Sequence, residues 1–214
     1  IVRRARSVMM SIDVRTLPAL LLTAGALNAQ LYTENFDSFA VGDYIAVEGG
    51  PAWVTWTAGT EGTEIDAQIT DEAALSGTQS LKIFGNVAGG PMDIVLVAGI
   101  EGAYEVTFNM LVPEGNSGYY NVQENQVPGT AWAFECVLGS DGSINYNVDG
   151  LMLAAGAYTP GEWLKVTHLI DTDSDLMHLY LNDVYHPRRR AREPSGRHPT
   201  RRRFVTPRRV RGGW

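Results

Sequence analysis

Between Tyr104 and Val112 the side chains change character with a period of two. Tyr104, Val106, Phe108, Met110 and Val112 fall on one side, and Glu105, Thr107 and Asn109 on the other. Only an extended strand sends successive residues to opposite faces, so this segment is read as a strand with one apolar and one polar face. Pro113-Glu114-Gly115-Asn116-Ser117-Gly118 then forces a turn. The same grammar recurs along the chain. Strands are expected at 31–36, 53–57, 65–70, 80–84, 93–97, 119–123, 131–138, 143–148, 163–170 and 176–184. Gly139-Ser140-Asp141-Gly142 and Asp149-Gly150 mark hairpin turns. Turn signals arrive about every ten residues, and no segment carries a sustained helical period with caps, although Ala73–Leu75 could form one short turn. The expected fold is all-β: a two-sheet antiparallel, jelly-roll-like sandwich over residues 30–186.

Charge divides the chain into three parts. Residues 1–29 hold four arginines against Asp13 alone, residues 30–186 hold only Lys82 and Lys165 against 22 Asp and Glu, and residues 187–214 hold 11 arginines against Glu193. The net charges are therefore +3, −20 and +10. One folded domain rarely sorts its charge this way, so a leader, an acidic domain and a basic tail are expected. Met9 or Met10 can start translation, Arg15 supplies a positive region, and Leu17, Ala19, Leu20, Leu21, Leu22, Ala24, Ala26 and Leu27 form a short apolar run. Small residues lead from there to Ala29-Gln30. That order is the pattern of a secretory signal peptide cut after Ala29, and the run is too short for a membrane span. Residues 1–8 read as translated upstream sequence. Cys136 is the only cysteine, so the domain has no internal disulfide, and a small buried thiol is expected there.

From Pro187 the text becomes Arg, Pro, Gly, Thr and Val, whereas residues 16–186 contain no arginine at all. Such text matches GC-rich coding sequence read out of frame. The tail has only Phe204 and Trp214 as aromatics. It lacks the interleaved stacking residues of a single-strand binder, and nucleic acid is not expected as a partner.

The acidic domain resembles the concanavalin-A-like, laminin-G-like sandwich modules of bacterial proteins exported by type IX secretion. The resemblance is carried by Glu34-Asn35-Phe36-Asp37-Ser38-Phe39 with Gly42-Asp43-Tyr44-Ile45, by Trp53-Val54-Thr55-Trp56, and by Ser76-Gly77-Thr78-Gln79-Ser80-Leu81-Lys82-Ile83. It continues through Val112-Pro113-Glu114-Gly115-Asn116-Ser117-Gly118-Tyr119-Tyr120-Asn121, Trp132-Ala133-Phe134-Glu135, Gly161-Glu162-Trp163 and Leu179-Tyr180-Leu181-Asn182-Asp183. It implies a secreted multidomain parent with a C-terminal sorting domain. The Arg-rich tail departs from that pattern where closing strands would stand.

Hydrolases on related sandwiches aim two carboxylates into a cleft from one strand face, in a Glu-x-Asp-x-x-Glu run that this chain lacks. Glu61, Glu64 and Asp66 read as a solvated acidic loop. Asp171-Thr172-Asp173-Ser174-Asp175 has Leu176 and Asn182 where an EF-hand needs Gly and Glu, so it reads as a hairpin turn. Glu34 and Asp37 are candidates for a structural calcium site. His168 and His178 have no third ligand in view, and no Gly-x-Ser-x-Gly elbow occurs. Trp53, Trp56, Tyr119 and Tyr120 are the candidates for stacking on sugar rings, because a flat apolar face suits the C–H face of a pyranose. Trp53 and Trp56 stand three apart on a strand and face opposite ways. Trp132 and Trp163 read as core. The function expected is a secreted non-catalytic module that binds a polysaccharide or glycan, or mediates adhesion. A hydrolase or lyase of the same fold and a purely architectural domain are the alternatives.

The charge partition yields a test. Exposed ion pairs contribute about 0–1 kcal/mol each, too little to order a Pro- and Arg-rich segment whose every backbone residue costs on the order of 1–2 kcal/mol to fix. Deleting residues 187–214 should therefore leave the melting temperature nearly unchanged, measured by thermal unfolding of the parent and the truncated chain.

Overall fold

The structure is a computed structural model describing residues 8–16, 30–85, 92–97, 101–124, 127–148 and 151–186. It is all-β apart from one helical turn, α1 (Ile45–Glu48), and every strand pairing is antiparallel. The strands are β1 (Val8–Thr16), β2 (Gln30–Glu34), β3 (Trp53–Thr55), β4 (Gln68–Thr70), β5 (Ser80–Ile83), β6 (Ile94–Leu96), β7 (Ala103–Leu111), β8 (Gly118–Gln123), β9 (Trp132–Leu138), β10 (Ser143–Val148), β11 (Leu151–Ala157), β12 (Trp163–Asp171), β13 (Leu176–Leu181) and β14 (Val184–His186). An eight-stranded sheet runs β14-β13-β12-β7-β1-β5-β4, with β2 also paired to β1. A four-stranded sheet runs β11-β10-β9-β8, and β3 pairs with β6 in a small third sheet. The all-β sandwich expected from the alternation is the architecture found.

The core lies between the two larger sheets. Phe108 and Met110 of β7, Leu164 and Val166 of β12, and Leu179 and Leu181 of β13 belong to one buried cluster with Phe134, Cys136 and Leu138 of β9 and Ile144 and Tyr146 of β10. Each set follows the period-two rule, which places one face of every strand inside. At its centre stands His168, fully enclosed and ringed by Phe134 at 4.9 Å, Tyr120 at 5.8 Å and Phe108 at 6.2 Å between ring centroids. Burial lowers the imidazole pKa to about 3. Its Nε2 shares a hydrogen bond with the Tyr120 hydroxyl at 3.2 Å.

Three features differ from the sequence reading. First, Met9, Met10 and Arg15, assigned to the leader, lie in β1, which is bonded along one side to β7 from Met9↔Leu111 to Thr16↔Tyr104. Its other side is shared between β5 (Val8↔Ile83 to Met10↔Leu81) and β2 (Ile12↔Glu34 to Arg15↔Gln30). The described sandwich thus reaches back to Val8, because Ile12 is buried opposite Phe108 and completes the inner face there. The apolar run 17–29, with the cleavage position, and the tail 187–214 lie outside the described residues. Second, Leu151–Ala157, which lacks the expected alternation, is a strand because it pairs antiparallel with β10. Third, the run 176–184 is broken by Asn182 and Asp183, both at positive φ (47° and 65°), which fold β14 back onto β13.

His168 gives the fold a pH dependence with a definite sign. The unfolded imidazole takes up a proton near its ordinary value of 6.5, whereas the folded one stays neutral to about 3. Stability is therefore lost as pH falls below 6.5. The paired change His168→Leu with Tyr120→Phe, which leaves no hydroxyl stranded, should flatten the fall in melting temperature between pH 6.5 and 4.5, read by thermal scans across that range.

Candidate functional site

Because Tyr120 and Val122 of β8 point inward, Tyr119, Asn121 and Gln123 point outward, and on β9 Glu135 lies outside the buried Phe134 and Cys136. The register sets Asn121 opposite Glu135, and Glu135 opposite Asn147 of β10. These side chains form one hydrogen-bonded row across three strands. Gln123 Nε2 donates to Asn121 Oδ1, Asn121 Nδ2 donates to the Tyr119 hydroxyl at 3.3 Å, and that hydroxyl donates to Glu135 Oε1 at 2.8 Å. Asn147 Nδ2 donates to Glu135 Oε2 at 3.0 Å, while its buried Oδ1 has no partner. At the other end the Gly129 backbone N–H donates to Gln123 Oε1 at 3.1 Å, tying the row to the β8–β9 hairpin loop.

An indole pair stands beside that loop. Trp56 and Trp132 stack with centroids 6.2 Å apart and planes 24° from parallel, and Trp132 is 43% exposed. Gly129, at φ 77°, lets the loop backbone lie against the Trp56 ring; a Cβ there would stand 3.1 Å from Cζ2. The Trp56 backbone N–H donates to the Asp93 carbonyl at 2.8 Å, which links this pair to the start of β6. The Asp93 carboxyl is largely withdrawn from water, and desolvation raises its pKa to about 6. Desolvation first, then the bond to Glu135, pushes the Tyr119 hydroxyl up to about 12, with the charges of Glu135 and Asp93 adding to the shift. The hydroxyl is thus a persistent donor to Glu135.

The four aromatic candidates divide evenly. Tyr119, 46% exposed, and Trp56, half-buried, line this face. Trp53 is 2% exposed, packed on Phe36 and donating from its Nε1 to the Tyr32 hydroxyl at 2.7 Å, so it is a core residue. Tyr120 is the inward partner of His168, and therefore also core. Trp132, assigned to the core from sequence, is the exposed member of the stacked pair, because a bulge between Val122 and Gln123 shifts the register at that end of β9. Trp163 is half-buried.

The acidic candidates serve the backbone. Asp37 Oδ1 accepts from the N–H groups of Thr78 at 2.9 Å and Gln79 at 3.1 Å, and Glu34 Oε1 accepts from Phe36 N–H at 2.7 Å. Asp37 is thus held by backbone donors, and among the described residues there is no group of three or more His, Cys, Asp or Glu that could hold a metal ion. Asp66 is not solvated: it is fully buried, accepting from Ala46 N–H at the start of α1 and from Gly62 N–H. Asp171 accepts from Asp173 and Ser174 N–H in the hairpin turn joining β12 to β13, as its sequence reads. His178 sits opposite Leu169 and is exposed, on the face opposite to His168, so the two do not meet. Among the described residues no helix is long and apolar enough to cross a membrane.

Asn121, Gln123, Glu135, Asn147 and Asp93 were not singled out from sequence. Alternation around Tyr119 and Phe134 carries the faces of the first three, but their convergence depends on strand register. Comparison with family models, with curated proteins and with solved structures finds no match for this chain.

Asp93 yields a second pH test of opposite sign. Between about 3.8 and 6 the folded carboxyl holds a proton that the unfolded one has released, so this group removes stability as pH rises through that window. Asp93→Asn should raise the melting temperature at pH 7 relative to the parent and leave it little changed at pH 3.5, measured by differential scanning calorimetry.

Proposed function

We propose that this domain is a secreted, non-catalytic carbohydrate-binding module and that its glycan lies on the outer face of the four-stranded sheet. The single observation behind this reading is the row Gln123–Asn121–Tyr119–Glu135–Asn147 next to the stacked indoles of Trp56 and Trp132. Sugars present paired hydroxyls, which match the donors and acceptors of amides and carboxylates, and apolar C–H faces, which suit an exposed indole. The acidic domain, with two lysines against 22 carboxylates, disfavours anionic polymers. A neutral polysaccharide is therefore the substrate class. The resemblance to concanavalin-A-like, laminin-G-like modules of type IX exported proteins agrees with display outside the cell.

A hydrolase is the second reading, favoured by one observation. Asp93, raised to about 6 by desolvation, and Glu135 both act on the Tyr119 hydroxyl, and a carboxyl that holds its proton toward neutral pH is what a general acid needs. Against it, both oxygens of Glu135 are engaged by Tyr119 and Asn147.

A glycan array of neutral and anionic polysaccharides, with release of reducing ends followed in parallel, tests both. The expected result is binding to neutral glycans without turnover. Trp132→Ala and Tyr119→Ala should each weaken binding at least about tenfold, with little change in melting temperature because both side chains are exposed. Binding that survives both substitutions would remove this face from consideration. Turnover abolished by Asp93→Asn would establish the hydrolase.

A further inference from the structure

The position of β1 carries an inference that does not depend on the glycan reading. Its neighbours, β7 on one side and β5 and β2 on the other, pair with it and not with each other. Ile12 is buried opposite Phe108 and Met10 packs on the core opposite Met110. On the other face Met9 is buried at the position paired with Leu111. Without β1 the sheet would present open backbone on both sides of a slot and uncover the inner face of β7, the kind of edge that recruits another strand. Yet the sequence between β1 and β2 carries the export pattern ending at Ala29-Gln30, so processing there would sever β1 from everything it pairs with.

We propose that β1 is a donated strand. The slot between β7 and the β5/β2 edge is filled by Val8–Thr16 through pairing and packing alone, without need of the covalent link to Gln30, and it accepts the same segment from a second copy of this chain. Donation is antiparallel to all three neighbours, with Met10 and Ile12 setting the register from the core side. A one-residue slip would turn both outward.

The full chain, carrying a site for a denaturant-tolerant protease between Thr23 and Ala24, is prepared in isotopically labelled and unlabelled forms. Each is cut to completion in denaturant, and the two are then mixed and refolded. Native mass spectrometry should show one-to-one complexes of the N-terminal piece with the remainder, including mixed labelled–unlabelled pairs in statistical proportion. A synthetic Ser7–Leu17 peptide in excess should displace the N-terminal piece during refolding. The same peptide with Ile12→Asp should compete at least about tenfold less well, because it would bury a carboxylate in the core. Two results would overturn the proposal: a remainder that unfolds cooperatively at the parent's melting temperature with no strand bound, or one that aggregates equally with and without the peptide.

Discussion

The contact between Tyr120 and His168 fixes the outer face of the molecule from the inside. Tyr120 belongs to β8, an edge strand of the four-stranded sheet, and His168 to β12 of the eight-stranded sheet. Their rings meet in the core, with the hydroxyl on Nε2 at 3.2 Å and Phe108 and Phe134 on either side. An edge strand is held by hydrogen bonds along one side only and is the element most prone to slip. A slip of one residue would send Tyr119 and Asn121 inward and Tyr120 outward. The polar pair makes that slip costly, because it would strand a buried hydroxyl and a buried imidazole together. The row from Gln123 to Asn147 thus owes its alignment to an interaction it does not touch.

The second organising constraint is electrostatic. Residues 30–186 hold two lysines for 22 carboxylates, so lysine can pair with only a few of these acidic groups. Both lysines are committed, Lys82 to Glu72 and Lys165 to Asp183. Two acids turn to the backbone instead: the buried Asp66 holds the N–H groups of Ala46 and Gly62, and the exposed Asp37 those of Thr78 and Gln79. A Cβ on Gly77, at φ 64°, would stand 1.7 Å from Asp37 Oδ2, so a larger residue there would push that carboxylate off its backbone donors. Carboxylate-to-amide bonds of this kind do what ion pairs do elsewhere, anchoring loops to the sheets.

Much of this architecture is legible in the sequence, for reasons that also explain what is not. The strand from Tyr104 to Val112 could be read because its two faces see different media, and the hairpin at Asp171 because side-chain-to-backbone bonds there are local. Leu151–Ala157 could not, since its residues show no alternation and only its pairing to β10 makes it a strand. Trp132 misled for a related reason: its parity with Phe134 and Cys136 places it inside, and one irregularity opposite Val122 and Gln123 undoes the parity. Asp66 reads as one more acid in a polar loop, because nothing local reveals that α1 will lay its first N–H groups against it. β1 is the strongest case. Its own composition suggests a leader, and it becomes a strand only through partners some 70 to 100 residues away in β5 and β7.

The internal bonding of the candidate row bears on how tightly it could hold a glycan. Every member except Asn147 Oδ1 is already engaged by a neighbour, so a sugar hydroxyl arriving there would exchange hydrogen bonds more than add them, and the net gain per bond is small, about 0.5–1.5 kcal/mol. What the row offers is preorganisation, since its side chains are fixed before the ligand arrives and little rotamer entropy remains to be lost. The indole of Trp132 supplies the apolar contact that does not depend on exchange. Such a face suits weak binding to each unit of a repeating polymer. Tight attachment would then come from several modules acting on one chain, where linkage multiplies affinity without any new contact.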